Sequence, residues 1–119
     1  MRKIFYLSTC STCTRIIKEL QLNDSFEFQD IKSNKITTEQ LEQMGKMSGS
    51  YESLFSKRAM KYKSMGLKDK SLNENDYKSL ILEEYTFLKR PVIIIDDNIF
   101  VGNSKNVIAE VARKLIIDN

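Results

Sequence analysis

In YLSTCSTCTR, residues 6–15, a short apolar run gives way to a helical pattern, and both cysteines of the chain lie at the junction. Residues 3–7 are typical of a strand. Beyond the junction, apolar residues recur at the i, i+3, i+4, i+7 spacing of one buried helix face: Cys13, Ile16, Ile17 and Leu20. The spacing predicts a helix from about residue 11 to residue 22.

The two thiols are spaced Cys-x-x-Cys, which at a strand-to-helix boundary is typical of a thioredoxin-like redox site. Cys10 is placed at the helix N-terminus, where unpaired amide groups and the helix dipole favour a thiolate. Cys13 falls one turn later, within reach of a mixed disulfide on Cys10. Because Cys13 also lies on the apolar stripe, the sequence leaves open whether it is a resolving thiol or a core residue.

Residues 26–31 are predicted to form a second strand, and the strand-helix-strand order implies a parallel pair.

The middle of the chain is predicted to be helical. Thr37 and Gln40 have the spacing of a capping box. A second, shorter helical stretch is expected over Leu54, Phe55, Arg58 and Tyr62, ending near Gly66. A third helix is capped by Asn73, and its expected buried face consists of Tyr77, Leu80, Ile81 and Tyr85.

The last third returns to sheet and ends in a helix. Pro91 precedes a β-branched run, residues 92–95, that is typical of a strand covered on both faces. A turn at residues 96–98 and a strand at 99–101 complete a hairpin. From Ser104, a closing helix has an apolar side made of Val107, Ile108, Val111, Ala112, Leu115 and Ile116.

This order predicts an α/β fold, a thioredoxin-like mixed four-stranded sheet with a helical insertion between the second and third strands. We expect one domain over residues 1–119, with the insertion at about 36–88.

Composition excludes several kinds of site. The chain has no histidine, so it has no Cys-His or Ser-His catalytic pair and no histidine metal ligand. Two cysteines cannot complete a four-thiolate zinc site within one chain. We therefore expect no metal site.

The charge and hydropathy of the chain limit the kinds of partner that we expect. The 19 basic and 16 acidic residues give a net charge of +3, which is too mild to indicate nucleic-acid binding. No apolar run approaches the roughly 20 residues of a membrane span, and the N-terminus lacks the apolar region of a secretory signal. We expect a cytoplasmic monomer without direct nucleic-acid or membrane contacts.

Several segments together resemble the superfamily of glutaredoxin-linked, ArsC-type arsenate reductases and Spx-type redox regulators. They are Tyr6 leading into Cys10-x-Thr12-Cys13, Asp30-Ile31-Lys32, Arg58 to Tyr62 with Met65-Gly66-Leu67, and Leu88-Lys89-Arg90-Pro91-Val92-Ile93. The Arg-Pro pair entering a β-branched strand is the most specific of these features, and the resemblance runs nearly end to end.

The resemblance implies a role for each matching residue. Cys10 aligns with the nucleophile, and Arg58 and Arg90 align with arginines that bind an oxyanion or a thiol substrate. Pro91 aligns with a proline that is cis and lies beside the active cysteine. The family implies no tightly bound cofactor, and it implies glutathione with glutaredoxin, or thioredoxin, as electron donor. A redoxin is then a partner.

The resemblance also implies an alternative to an enzyme. Arsenate reductases place a further arginine near position 103, where this chain has asparagine, and they tend to have a single active cysteine. The Cys-x-x-Cys form is closer to the Spx-type regulators, which bind RNA polymerase and use a disulfide as a switch. Enzyme and regulator therefore both remain open, the latter with a Cys10–Cys13 disulfide.

Overall fold

The computed structural model describes residues 1–118, and their contacts divide into two compact units. One unit combines Met1–Asn34 with the described residues from Arg90 onward, and the other is the continuous segment Lys35–Lys89. The single domain with an insertion at about 36–88 stays a prediction.

The described chain contains four strands and five α-helices. The strands are β1 (Arg2–Tyr6), β2 (Glu27–Asp30), β3 (Val92–Ile95) and β4 (Asn98–Val101). The helices are α1 (Ser11–Glu19), α2 (Thr38–Ser48), α3 (Met60–Ser64), α4 (Glu74–Glu83) and α5 (Lys105–Asp118).

The strands form one mixed sheet in the order β2-β1-β3-β4. β1 is parallel to β2 and antiparallel to β3, and β3 and β4 form a hairpin. Helices α2, α3 and α4 lie between β2 and β3 in the chain. The predicted α/β class, the parallel first pair and the helical insertion between the second and third strands are confirmed.

β3 is buried at all four positions, as its β-branched sequence predicts. The hairpin loop is one residue shorter than expected, because Asn98 already pairs with Ile95. Asp96 adopts a φ of 53° in the resulting two-residue loop, a left-handed conformation that Asp tolerates better than most residues.

In β2 a polar side chain is buried and the apolar side chain before it is exposed. Gln29 is buried, whereas Phe28 is 40% exposed and meets the ring of Tyr6 edge-on at 5.9 Å. The Gln29 amide donates to the backbone oxygen of Asn34 at 3.0 Å. This hydrogen bond makes burial of the amide tolerable.

Helices α1 and α5 contribute to one apolar cluster with the sheet. Its buried members are Ile4, Phe26, Ile93, Ile95 and Val111, and Ile17, Leu20 and Leu115 pack against them. The hydroxyl of Ser104 accepts from the Val107 amide at 3.2 Å, which confirms the predicted cap of α5. The expected burial of Ile116 is wrong, since its side chain is 75% exposed.

Helix α1 ends earlier than its apolar pattern predicts. Gln21 has a φ of 54°, and the Leu22 amide donates to the oxygen of Ile17 at 3.1 Å. This is the Schellman arrangement, which closes a helix through one left-handed residue. Leu22 still packs on the apolar cluster, but from outside the helix.

In the helical unit, both predicted caps are confirmed. Thr37 and Gln40 bond reciprocally at the start of α2, and Asn73 and Asp76 do the same at the start of α4. The buried face of α4 is narrower than expected, because Tyr77 and Ile81 are buried while Leu80 and Tyr85 are half-buried.

The predicted helix over residues 54–62 is wrong. A single 3-10 turn, Glu52–Leu54, is followed by Phe55 in an extended conformation bridged to Leu88, and α3 begins only at Met60. The Glu74 carboxylate from α4 accepts the amides of Tyr51 and Glu52, at 2.6 Å and 3.1 Å. This long-range pairing fixes the backbone immediately before the segment in which the local pattern favoured a helix.

Replacing Gly45 by alanine is expected to destabilise the protein by about 1–3 kcal/mol, because the added Cβ overpacks a filled site. That Cβ would lie 2.6 Å from Cε1 of Tyr51. Urea unfolding measures the loss, and Lys46→Ala, an exposed change in the same helix, is the control. In a Tyr51→Ala background the obstruction is gone, so Gly45→Ala should then be neutral or stabilising through helix propensity. Equal destabilisation in both backgrounds contradicts the overpacking argument.

Among residues 1–118, no helix has the length and apolar character needed to span a membrane.

Candidate active site

Cys10 is the N-cap residue of α1, as predicted. Its backbone is extended, with φ −93° and ψ 112°, and its carbonyl accepts the first helical hydrogen bond from Thr14 at 3.1 Å. A turn over residues 7–10, closed by the Cys10 amide bonding to the Leu7 oxygen at 3.1 Å, leads from β1 into this position. Cys10 therefore lies at the N-terminal end of α1, where the helix has unpaired amide groups.

Burial opposes ionisation of Cys10, but its surroundings outweigh that effect. The amide of Cys13, the thiol of Cys13, the amide of Thr12 and the Arg90 charge together hold the pKa of Cys10 below that of an ordinary cysteine. The side chain makes no full capping hydrogen bond with the helix. The amides nevertheless act on the sulfur, and they favour its thiolate more than its thiol.

Cys13 has the opposite character. It is fully buried, and burial together with the neighbouring Cys10 raises the pKa of Cys13 to about 11, despite opposing contributions from the Leu7 amide and Arg90. Cys13 therefore stays protonated and donates its S–H to Cys10. Both thiols are free in the structure. Cys13 is thus a core residue beside the candidate nucleophile, and its role as a resolving thiol stays a prediction.

Arg90 and Pro91 lie in the same unit as the two cysteines. β3 pairs with β1 through Val92 and Phe5, which brings the Arg90-Pro91 segment to the end of β1 where the cysteine turn begins. The Arg90-Pro91 peptide bond is cis. Arg90 is half-buried, and its positive charge lowers the pKa of both cysteines.

Arg58 belongs to the helical unit, where it lies on an exposed turn before α3. Its role in an oxyanion pocket stays a prediction. Asn103, at the position where arsenate reductases carry a further arginine, is exposed in the loop between β4 and α5.

Sequence reasoning gave no role to the pair Ser8 and Asp30. The hydroxyl of Ser8, within the cysteine turn, donates to the Asp30 carboxylate at the end of β2. Asp30-Ile31-Lys32 was part of the family resemblance, but two polar residues 22 positions apart carry no local signal that they meet. The parallel pairing of β1 and β2 brings them together.

An open groove of about 360 Å³ lies in the helical unit beside α4. Its lining combines apolar side chains with polar and charged ones: Met65, Leu67, Lys70, Ser71, Leu72, Asp76, Ser79 and Leu80. None of the predicted site residues lines it, so the candidate site rests on the cysteines and not on this cavity.

The two pKa directions predict a selective alkylation profile. Iodoacetamide should modify Cys10 alone up to about pH 9, because only thiolates react, and the rate should rise with pH until Cys10 is fully ionised. A second phase from Cys13 is expected only near pH 11.

Removing the positive charge in Arg90→Gln should raise the pKa of Cys10 and slow its alkylation at pH 7 by about two- to five-fold. Lys89→Gln, which removes an exposed neighbouring charge, is the control. Peptide mass spectrometry locates the modified thiol. Equal modification of the two cysteines at pH 7, or identical profiles for Arg90→Gln and the parent, contradicts these assignments.

Comparison with known proteins gives one family and a set of similar structures. The sequence model of the ArsC family matches residues 5–111. No curated protein matches the chain.

Two solved structures illustrate the structural similarity. An ArsC family related protein from Bacteroides fragilis is 22% identical and covers 92% of this chain and 96% of its own, with a TM-score of 0.77. An arsenate reductase from Vibrio cholerae is 18% identical, with coverages of 92% and 96% and a TM-score of 0.73. At these identities the likeness shows the fold, which is the thioredoxin-like fold of ArsC proteins.

Proposed function

Because this chain belongs to the ArsC family, we propose that it is an arsenate reductase-like thiol oxidoreductase in which Cys10 is the nucleophile. The observation that carries the proposal is the placement of Cys10 at the N-cap of α1, with its pKa lowered by the amides of Cys13 and Thr12 and by Arg90. A thiolate at neutral pH is the reactive form of cysteine.

The substrate is a small oxyanion or an oxidised thiol. For arsenate, the Cys10 sulfur attacks arsenic, an oxygen leaves as water, and a sulfur–arsenic bond forms. A second thiolate then attacks the Cys10 sulfur, and the electron pair of the broken bond leaves with arsenic. The products are arsenite and a disulfide, so the two thiols supply the two electrons.

Arginine is suited to hold such a substrate. Its planar guanidinium stays charged at working pH and binds oxyanions through paired hydrogen bonds. Arg90, whose charge already acts on Cys10, is the first arginine of the proposed pocket. Arg58 is the second, on the strength of the family resemblance. Pro91 forms the wall beside Cys10.

The second thiol is either Cys13 or an external one. Cys13 is in contact with Cys10 but is buried and protonated, so its attack requires deprotonation. Glutathione with glutaredoxin, or thioredoxin, is the external donor of the proposal, and no tightly bound cofactor is required. The reduced cytoplasm suits such a thiol cycle.

Mass spectrometry of the intact protein after mild oxidation tests the proposal, with and without glutathione and arsenate. A glutathione adduct on Cys10 that forms together with arsenite when arsenate and glutathione are present, and that further glutathione with glutaredoxin removes, supports a reductase. Protein that forms neither this adduct nor arsenite with arsenate and glutathione contradicts arsenate reduction.

One observation favours a second candidate. The Cys13 thiol donates to Cys10 across one helical turn, and this contact supports the proposal of a Cys10–Cys13 disulfide that forms on oxidation and alters the start of α1. A redox-sensing regulator of the Spx type, binding RNA polymerase, would use this change. Binding to RNA polymerase that is identical for the oxidised and reduced protein would count against the regulator.

A further inference from the structure

The turn over residues 7–10 sets the direction of the Cys10 side chain. The helix amides reach the sulfur only while Cys10 keeps its extended N-cap backbone. That backbone follows a turn whose two central residues, Ser8 and Thr9, are both exposed and cover no core. Something other than packing must therefore hold this turn in place.

Besides the backbone hydrogen bond from Cys10 to Leu7, the Asp30 carboxylate is the group that holds it. One of its oxygens accepts the Ser8 hydroxyl, and the other accepts the Lys32 amide at 3.2 Å. The backbone amide of Ser8 also acts on the same carboxylate. Donors from the cysteine turn and from the chain after β2 thus converge on one side chain.

The attachment of Asp30 itself is firm. Asp30 pairs with Tyr6 in the parallel ladder of β1 and β2, and the next residue, Ile31, donates its amide to the Tyr6 oxygen at 2.9 Å. The hydrogen bond from Ser8 is the main cause that lowers the pKa of Asp30, so the carboxylate stays ionised in mild acid. A charged acceptor makes a stronger hydrogen bond than a neutral one.

We infer that Asp30 is a positioning residue for Cys10, acting through Ser8 to keep the cysteine turn in the orientation that exposes the sulfur to the helix amides. This inference rests on the proposed function, in which Cys10 is the nucleophile. Asp30 takes no part in bond making.

The test is the pH dependence of Cys10 alkylation by iodoacetamide in Ser8→Ala and Asp30→Ala. In both variants the midpoint of the profile should move upward, toward that of a free cysteine, and the rate at pH 7 should fall by about three- to ten-fold, since one pKa unit corresponds to a tenfold change in thiolate. Ser8→Thr and Asp30→Asn, which keep a hydroxyl and an acceptor oxygen, should restore most of the reactivity.

Thr9→Ala is the matched control. Thr9 is exposed in the same turn and makes no hydrogen bond to any residue that the structure describes, so its profile should equal that of the parent protein. Circular dichroism establishes that each variant is folded. Ser8→Ala removes only an exposed hydroxyl and keeps the test available if Asp30→Ala does not fold.

The possible results separate the two ideas. A parent midpoint below that of a free cysteine, with unchanged midpoints in Ser8→Ala and Asp30→Ala, overturns the role of Asp30 and leaves the proposed function standing. A parent midpoint equal to that of a free cysteine overturns both, because there is then no lowered pKa for the turn to maintain.

Discussion

Replacing Cys10 by serine is expected to abolish thiol-dependent reduction, with turnover falling by about a thousand-fold or more, as when a covalent nucleophile is removed. A serine hydroxyl is not ionised near neutral pH. It also cannot form the disulfide that carries electrons away from the substrate. The helix amides and Arg90 would remain in place, but they would have no thiolate to stabilise.

The measurement is arsenite formation with glutathione and glutaredoxin, or with thioredoxin, as donor. Cys13→Ser is the informative companion, because it keeps a small donor beside Cys10 while removing the second sulfur. Retained turnover in Cys13→Ser assigns the resolving thiol to the external donor, and its loss assigns that step to Cys13. Parent-like turnover in Cys10→Ser would remove the proposed mechanism.

Truncating Phe55 to alanine is expected to cost about 3–5 kcal/mol of unfolding free energy, the usual range for a buried phenylalanine. The ring is 2% exposed and meets three others: Phe87 and Tyr77 at 4.9 Å and Tyr62 at 5.9 Å. Alanine would leave a cavity among these aromatic rings. The backbone at that position is held by the bridge between Phe55 and Leu88.

The control for this cavity is Phe28→Ala, the same chemical change at an exposed site with one ring contact. Its expected cost is below about 1 kcal/mol, as for a surface substitution. Urea unfolding of the full chain, followed by circular dichroism, compares the two. Equal losses in Phe55→Ala and Phe28→Ala would contradict the central place given to Phe55.

The elements that could be predicted are those whose signals are local. The capping boxes at Thr37 and Asn73 each involve residues three positions apart, and the strand at 92–95 is marked by its own β-branched run. The helix start at Cys10 belongs to the same class, because a polar turn between an apolar run and an amphipathic pattern contains the required information.

The predictions that failed depend on distant partners. The extended backbone at Phe55 is bridged to Leu88, and the turn before it is bonded to the Glu74 carboxylate, and a local apolar pattern can reveal neither partner. The exposure of Ile116 likewise cannot be read from the apolar pattern. Helical periodicity predicts which face of a helix is apolar, but not how far the neighbouring elements extend along that face.

The residues of the candidate site likewise fall into those that could be predicted from the sequence and those that could not. Cys10 and Cys13 were found from their spacing, and Arg90 and Pro91 from the family resemblance. Ser8 and Asp30 were missed as a pair because a hydrogen bond between two segments joined by a parallel crossover produces no periodic pattern in the sequence. Their pairing required knowledge of which strand lies beside β1.

The strand order has a consequence for the order of events during synthesis. β1 is a central strand whose partner on one side is β2 and on the other is β3, where Arg2 pairs with Ile95. A nascent chain that has left the ribosome only as far as β2 lacks β3, so its β1 can be paired on one side only. Closing the long loop between β1 and β3 costs chain entropy and is therefore slow. The segment Lys35–Lys89 is continuous and can form its own contacts first. Arg90 arrives after it, so we expect the cysteine to acquire its full reactivity only after β3 has been synthesised and has paired with β1.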